Sequence, residues 1–429
     1  MTNFKRFCLL SVAAGAMISW DAYAQGQGNY YSRDKYEAVM ERRQPEFDPE
    51  PIRLGAFLVD ATGIVGVTSN SNVYASALSE ESDVITRIGA TIAARTDWSV
   101  HEIGADLSAF RNEFSDFSDE SNSELRAALR GRLDVTRDLK LGASVFTENR
   151  TEPRTDPSNA NGLQKPIEYT RSGFELQANY LNDRFRWTNA VGITKSDFKD
   201  GRQIGTNIVV DQDFRDHDST TGRSRLSYAV TPNVAVFAQG TMHEESYDST
   251  QLIGGALRSR DSTGYTVAGG FDFELTALVR GDVAVGYMSE DKDDPFFKDV
   301  DGLSLDGRVL WFPTRLTTAT FTAGRHVQDV GLFASPSVLV TDFGVRVDHE
   351  LKRNIILSGT YRNSNYDFQE LSRTDDVNEF GASVIYKMNK RIHLEGFARR
   401  MDRDASGSAL TFDPSYGVDL FGVQLSLHP

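Results

Sequence analysis

Cysteine is all but absent: Cys8 is the single cysteine among 429 residues. One thiol excludes an intramolecular disulfide and any Cys-built metal or redox centre. Beyond the first 25 positions there is no apolar run of about 18 residues, which excludes helices crossing a bilayer. Basic excess is missing too, since 61 Asp and Glu stand against 46 Lys and Arg for a formal charge of −15. Such a balance argues against nucleic acid as a partner. Chemistry-bearing motifs are equally scarce. None of His101, His217, His243, His326, His349, His393 and His428 sits in an H-E-x-x-H motif, and no G-x-S-x-G elbow or nucleotide-binding loop occurs. The sequence therefore assigns no catalytic residue, no metal ligand and no cofactor.

What is present begins with Lys5 and Arg6, an apolar run from Phe7 to Ile18, and Ala22-Tyr23-Ala24. This order is that of a secretory signal peptide cleaved after Ala24. Removal of Lys5, Arg6 and Asp21 takes the formal charge from −15 to −16. Residues 25–53 form a distinct lead-in. Gly26, Gly28 and Asn29 open it, a short helix is expected over 35–43, and Pro45, Pro49 and Pro51 impose an extended path. A periplasmic partial plug and a disordered tail are equally compatible with this composition.

From Leu54 onward one grammar repeats to the end of the chain. Segments of about ten residues alternate between apolar and polar positions, and a turn separates each from the next. Tyr265, Val267, Phe271, Phe273 and Leu275 share one parity, while Thr266, Ala268, Asp272 and Glu274 share the other. Only a strand sends those two sets to opposite faces. A mean hydropathy of −0.39 suits a membrane wall in which every second residue meets lipid. The pattern predicts an all-β fold, a transmembrane antiparallel up-and-down barrel over 54–429, with about 18 strands and counts of 16 to 20 open.

Connection lengths point the same way. Tight turns at Thr96-Asp97, Arg137-Asp138, Asn182-Asp183, Pro232-Asn233, Thr276-Ala277, Pro313-Thr314, Lys352-Arg353 and Asn389-Lys390 alternate with longer polar stretches. Short periplasmic turns and long extracellular loops are the signature of an outer-membrane barrel, and an even strand count returns both ends to the periplasm. Trp98, Tyr180, Trp187, Tyr228, Trp311, Phe312 and Tyr386 lie beside tight turns; Phe114, Phe146, Phe198, Phe214, Tyr247, Tyr287 and Tyr366 lie toward the long loops. These two sets are expected to form two aromatic girdles at the water–lipid boundaries.

Any selectivity belongs to the other parity or to the loops. Arg95, Arg126, Arg130, Arg132, Arg280, Asp282, Asp306, Arg308, Arg346, Asp348 and Arg399 fall on polar parities and are the candidate lumen lining. They form either a charged constriction or a self-neutralising ladder of salt bridges, and the ladder is the more economical reading because paired charges satisfy each other first. Acidic loops at Asp116–Glu124 and Glu290–Asp301 read as solvated surface, their spacing matching no calcium loop. His243 or His326 beside a serine marks the one place where a barrel hydrolase is conceivable.

The segment Arg43-Gln44-Pro45-Glu46-Phe47-Asp48-Pro49, with Ile52-Arg53-Leu54-Gly55-Ala56-Phe57, Asn72-Val73-Tyr74, Asp97-Trp98 and His101, resembles the putative β-barrel porin 2 family. Pro51 stands where that opening has a glycine. The resemblance implies an outer-membrane protein of a Gram-negative cell, associated with exopolysaccharide synthesis and export. It further implies lipid, lipopolysaccharide, the outer-membrane assembly machinery and periplasmic polysaccharide-export components as partners. Gly422, Leu425 and Leu427 supply an assembly-type ending, from which His428-Pro429 departs. Three functions follow as expectations: a passive conduit for exopolysaccharide, a general diffusion porin with an inward loop at 151–167 or 199–213, and an outer-membrane enzyme.

Overall fold

The computed structural model describes residues 37–158, 162–206, 208–276, 278–332, 335–407 and 415–429. The signal segment, its cleavage at Ala24 and the lead-in up to residue 36 lie outside the described residues.

Eighteen long strands are present among the described residues. They are β1 (Phe57–Asn70), β2 (Asp83–Thr96), β3 (Glu102–Phe114), β4 (Asn122–Asp134), β5 (Leu139–Thr151), β6 (Glu168–Asn182), β7 (Phe185–Phe198), β8 (His217–Thr231) and β9 (Val234–Tyr247). The second half holds β10 (Ser262–Leu275), β11 (Val279–Lys292), β12 (Val300–Thr314), β13 (Thr317–Leu332), β14 (Ser335–Lys352), β15 (Ile355–Phe368), β16 (Arg373–Lys387), β17 (Ile392–Ser406) and β18 (Tyr416–Leu427). Each strand pairs antiparallel with the next, and β18 pairs with β1 in the register Val65↔Leu425 and Val67↔Val423. The sheet thus closes on itself. In hydrocarbon an open edge would leave backbone N–H and C=O groups unpaired at several kcal/mol each, so closure is what allows a sheet to span. No helix of the described residues is long and apolar enough to cross a membrane; the strands do so.

The parity split holds around the whole wall. Val267 and Phe271 on β10 are 60% and 57% exposed, with Val285 and Tyr287 on β11 and Leu303 and Trp311 on β12 beside them in register. These faces meet lipid, where their exposure to water is replaced by contact with acyl chains. Polar neighbours one residue away face the lumen, including Asp272, Arg280, Asp282, Asp306 and Arg308.

The tight turns lie at one rim, as the connection lengths predict. Three corrections concern the rest. Glu37–Arg43 forms a turn, in which the Ala38 carbonyl accepts from the amides of Glu41 and Arg42 at 2.9 Å each, in place of the expected helix. The connection after β13, expected to be long, is tight, with Leu332 paired to Ser335. Val330, Val338, Val340 and Phe368 explain this by forming a buried cluster on the inner face, so pairing continues until their burial is complete.

The third correction concerns the aromatics. Trp98, Tyr180, Trp187, Tyr228, Trp311 and Tyr386 are all exposed near the turn rim, where one girdle stands. Phe312, next to Trp311, takes the opposite face and is buried with Ala38 and Leu310. At the loop rim Phe114, Phe146, Phe198, Tyr247 and Tyr366 lie on lumenal parity. Tyr287 is the member of that set that faces lipid, together with Tyr265 at 6.4 Å.

Candidate functional site

The lumen is lined by cross-strand ion pairs. Arg126 meets Glu148 at 2.9 Å, Arg132 meets Glu102 at 3.2 Å and Asp134 at 3.0 Å, and Arg130 bonds Asp106. On the opposite wall Asp282 holds Arg225 at 2.6 Å, and Arg346 meets Asp348 at 2.9 Å while Ser358 Oγ donates to the same carboxylate at 2.6 Å. Arg399 lies 5.4 Å from the Phe397 ring. Arg95, Asp306 and Arg308 also face inward by register. The structure therefore brings most of the charged set together as paired neighbours.

Two pieces of chain fold inward against the lumenal wall. Residues 37–50 cross the turn-side mouth. Val39 N–H donates to Thr318 Oγ1 at 3.0 Å, Arg42 Nη1 to Glu350 at 2.7 Å, and Arg280 Nη2 to Glu41 at 3.0 Å. Lys387 Nζ reaches Asp48 at 2.8 Å, and His393 Nε2 faces the Phe47 carbonyl at 2.9 Å. These anchors sit on β11, β13, β14, β16 and β17, so the segment is strapped across one side of the barrel. In place of the expected extended path, a second turn follows at 44–48, where the Gln44 carbonyl accepts from the amides of Phe47 and Asp48 at 2.8 Å each; such backbone offers a strand no regular ladder, which leaves side chains to hold it.

At the loop side, residues 152–158 leave β5 and fold inward. Tyr416 on β18, five strands around the wall from β5, donates its hydroxyl to the Thr155 carbonyl at 3.2 Å. Arg154 forms a fork with Glu120, at 2.6 and 3.0 Å. Arg215 grips Glu152 at 2.5 and 3.2 Å, both side chains being 7% exposed, and its guanidinium lies 4.1 Å from the Phe198 ring. Gly331 on β13 is required there, because a Cβ would overlap the Arg215 guanidinium. Arg260 bonds Asp329 at 2.9 Å, also on β13.

Residues 162–167 and the connection after β7 are joined as well, through Leu163↔Gln203 and the bond from Gln164 N–H to the Arg202 carbonyl at 2.7 Å. The two candidate constriction loops thus work as one body. Asp156 lies inside it. Burial, with the Glu152 carboxylate as the next cause, pushes its carboxyl up to about 6.

Other candidates separate. Tyr169, Phe198, His217 and Tyr247 form a ring-to-ring row at 5.2, 6.5 and 5.1 Å on the inner face of β6 to β9. His243 Nε2 contacts Glu290 at 2.6 Å, and Ser262 Oγ donates to that carboxylate, not to the imidazole. The carboxylate thus lies between serine and imidazole, whereas a serine triad places the imidazole next to the hydroxyl. The acidic loops do not converge: Asp119 pairs with Lys165, Glu120 with Arg154 and Asp294 with Arg258. Among the described residues the converging acidic group is Asp200, Asp211 and Asp213, exposed on the connection after β7.

Arg215, Glu152, Arg154 and Arg260 escaped sequence reasoning. The signal that could have found them is the proline bracketing of 153–166 beside buried-type pairs of opposite charge.

Comparison with known proteins adds a family. The family model described as "Putative beta-barrel porin 2" matches residues 44–425. No curated protein matches the chain in sequence. Among solved structures, the copper transporter OprC aligns with TM-score 0.49 and 10% identity over 89% of this chain and 82% of that one. OccK2 (OpdF) of Pseudomonas aeruginosa, in complex with glucuronate, aligns at 0.48 and 9%, over 87% and 99%. The ferric enterobactin receptor PfeA of the same organism aligns at 0.45 and 8%, over 88% and 81%.

Proposed function

We propose that this chain, which belongs to the Putative beta-barrel porin 2 family and is an outer-membrane β-barrel, is a passive channel for small hydrophilic solutes, narrowed at both mouths. The observation that carries the reading is the inward fold of 152–158, whose Thr155 carbonyl meets Tyr416 across five strands of wall. An 18-stranded barrel leaves an aqueous lumen, and a chord of backbone across it sets a size limit. A hydrated polysaccharide chain in transit would have to displace that chord along its length, whereas a small solute passes beside it. Polysaccharide export, with periplasmic export components as partners, is therefore the less favoured reading. The reading assigns no reaction to the barrel. Lipid and lipopolysaccharide are the partners of its outer face, and the assembly machinery is the partner of β18.

Refolded protein in planar bilayers and in sugar-loaded liposomes tests this. Expected are discrete conductance steps and swelling rates that fall steeply with solute size. A folded, inserted barrel that never conducts, or one passing a long oligosaccharide as fast as a monosaccharide, overturns it.

A further inference from the structure

On the lumenal wall of β4, β5 and β6, three guanidiniums surround one carboxylate. Arg126 Nη1 donates to Glu148 Oε2 at 2.9 Å, and Arg150 Nε and Nη2 approach the same oxygen at 3.3 Å each. Arg171 is the cross-strand partner of Glu148 from the other side and makes no ion pair among the described residues. Phe146, two residues before Glu148 on the same face, underlies the group, with Arg126 5.3 Å and Arg171 6.0 Å from its ring centre. Gly173 leaves room for that ring, since a Cβ there would stand 2.6 Å from Phe146 Cε1.

Several other lumenal arginines have one carboxylate each, and Arg132 has two. Arg87 has Glu124 at 3.3 Å, Arg225 has Asp282 at 2.6 Å, and Arg130 and Arg362 have Asp106 and Asp342. Arg373 and Arg403 do share Asp375, but their side chains are 13% and 6% exposed and lie within the wall. Here the carboxylate is the sunken member: Glu148 is 3% exposed, against 32% for Arg126 and 31% for Arg150. The positive ends are turned to the passage and the negative one is covered.

Other charges nearby do not cancel the excess. Glu152, above the group, is held by Arg215, and Glu175, below it, faces the Arg223 guanidinium. Asp156 is the remaining loop carboxyl on that side, and it is buried beside Glu152.

We infer that Arg126, Arg150 and Arg171 form an anion station in the lumen, which takes small solutes bearing a carboxylate or phosphate group. The inference rests on the channel reading and names the charge class that the channel prefers. Guanidinium forks present paired N–H donors matching two oxygens of such a group, and the aromatic platform keeps them in plane without consuming a donor. Arg171 makes no ion pair among the described residues, and the other two have only one carboxylate between them. An arriving anion therefore meets donors that are already held in place.

The test uses refolded full-length barrel in planar bilayers under a KCl gradient, with inorganic phosphate as the probe. Wild type is expected to prefer chloride over potassium, and phosphate is expected to block the chloride current saturably. Arg171→Gln removes one charge roughly 5 Å from the passing ion, which in an aqueous dielectric corresponds to an anion preference lower by about fourfold. Glu148→Gln should shift the preference the opposite way, a reversal that a structural role would not produce. A difference in gel migration between unboiled and boiled samples checks that each variant is folded. A conducting wild type without anion preference, or unchanged selectivity and phosphate block in Arg171→Gln, overturns the station and leaves the channel reading intact. A folded barrel that does not conduct overturns both.

Discussion

Replacing Arg215 with alanine should open the loop-side mouth without harming the barrel. Its guanidinium holds Glu152 at 2.5 and 3.2 Å, and both side chains are 7% exposed. Removing the cation alone strands a buried carboxylate beside Asp156, and breaking a buried pair from one side costs about 3–5 kcal/mol. The backbone ladder of β5 to β8 is untouched, so the cost falls on the docked state of 152–158. Taking about 3 kcal/mol, with tenfold for each 1.4 kcal/mol, the undocked population rises by roughly a hundredfold. The paired variant Glu152→Gln with Arg215→Met strands neither charge and should cost less. Single-channel recording reads this as more frequent and larger open levels in Arg215→Ala, with the paired variant in between. If Arg215→Ala gives wild-type traces while its unboiled gel mobility shows a folded barrel, the loop is not what narrows the passage.

Three more predictions follow from separate parts of the molecule. The carboxyl of Asp156 sits at about 6 when buried and near 3.9 when solvated, so docking is favoured while the group is neutral. That contribution, about 3 kcal/mol, is complete below roughly pH 4 and lost as pH rises through about 6. Open probability should therefore climb between those values in wild type and stay flat in Asp156→Asn, and a wild-type profile independent of pH would refute the assignment. Arg42→Ala leaves Glu350, 8% exposed, without its cation and weakens strap docking by about 2 kcal/mol; the expected readout is current noise and protease access confined to the periplasmic side, with the open level otherwise unchanged. Val285→Arg puts a charge on the lipid face and should destabilise the barrel by about 2–4 kcal/mol in urea refolding titrations, whereas a cost under 0.5 kcal/mol would mean that this face is not in hydrocarbon.

The barrel was legible because its two faces live in different solvents. A period of two, kept from Phe57 to Leu427, has no other economical explanation than a wall with oil on one side and water on the other. The register then follows, since a one-residue slip would carry Val267 and Phe271 into the lumen. Distance along the chain does not give direction. Trp311 and Phe312 are neighbours at the same height, but adjacent strand residues point opposite ways, so only Trp311 reaches lipid. Phe146, Phe198 and Tyr247 were nearly legible, because each shares its parity with polar residues of its own strand. The lumen lining was legible by the same rule.

Which charges neutralise which was not legible. Arg215 and Glu152 are 63 residues apart in connections with no periodicity, and their meeting depends on how two loops fold against each other. The turn-side strap was hidden for the same reason. Its prolines describe a chain without regular secondary structure, and they are silent about where such a chain is fastened.

That strap sets an order of events. Residues 39, 42, 47 and 48 leave the ribosome early, but their anchors lie 279, 308, 346 and 339 positions later, on strands of the second half. Contacts of such separation are slow to form, so the segment waits untethered until β11 to β17 stand, and a stretch of chain made early is seated only once the strands that hold it exist.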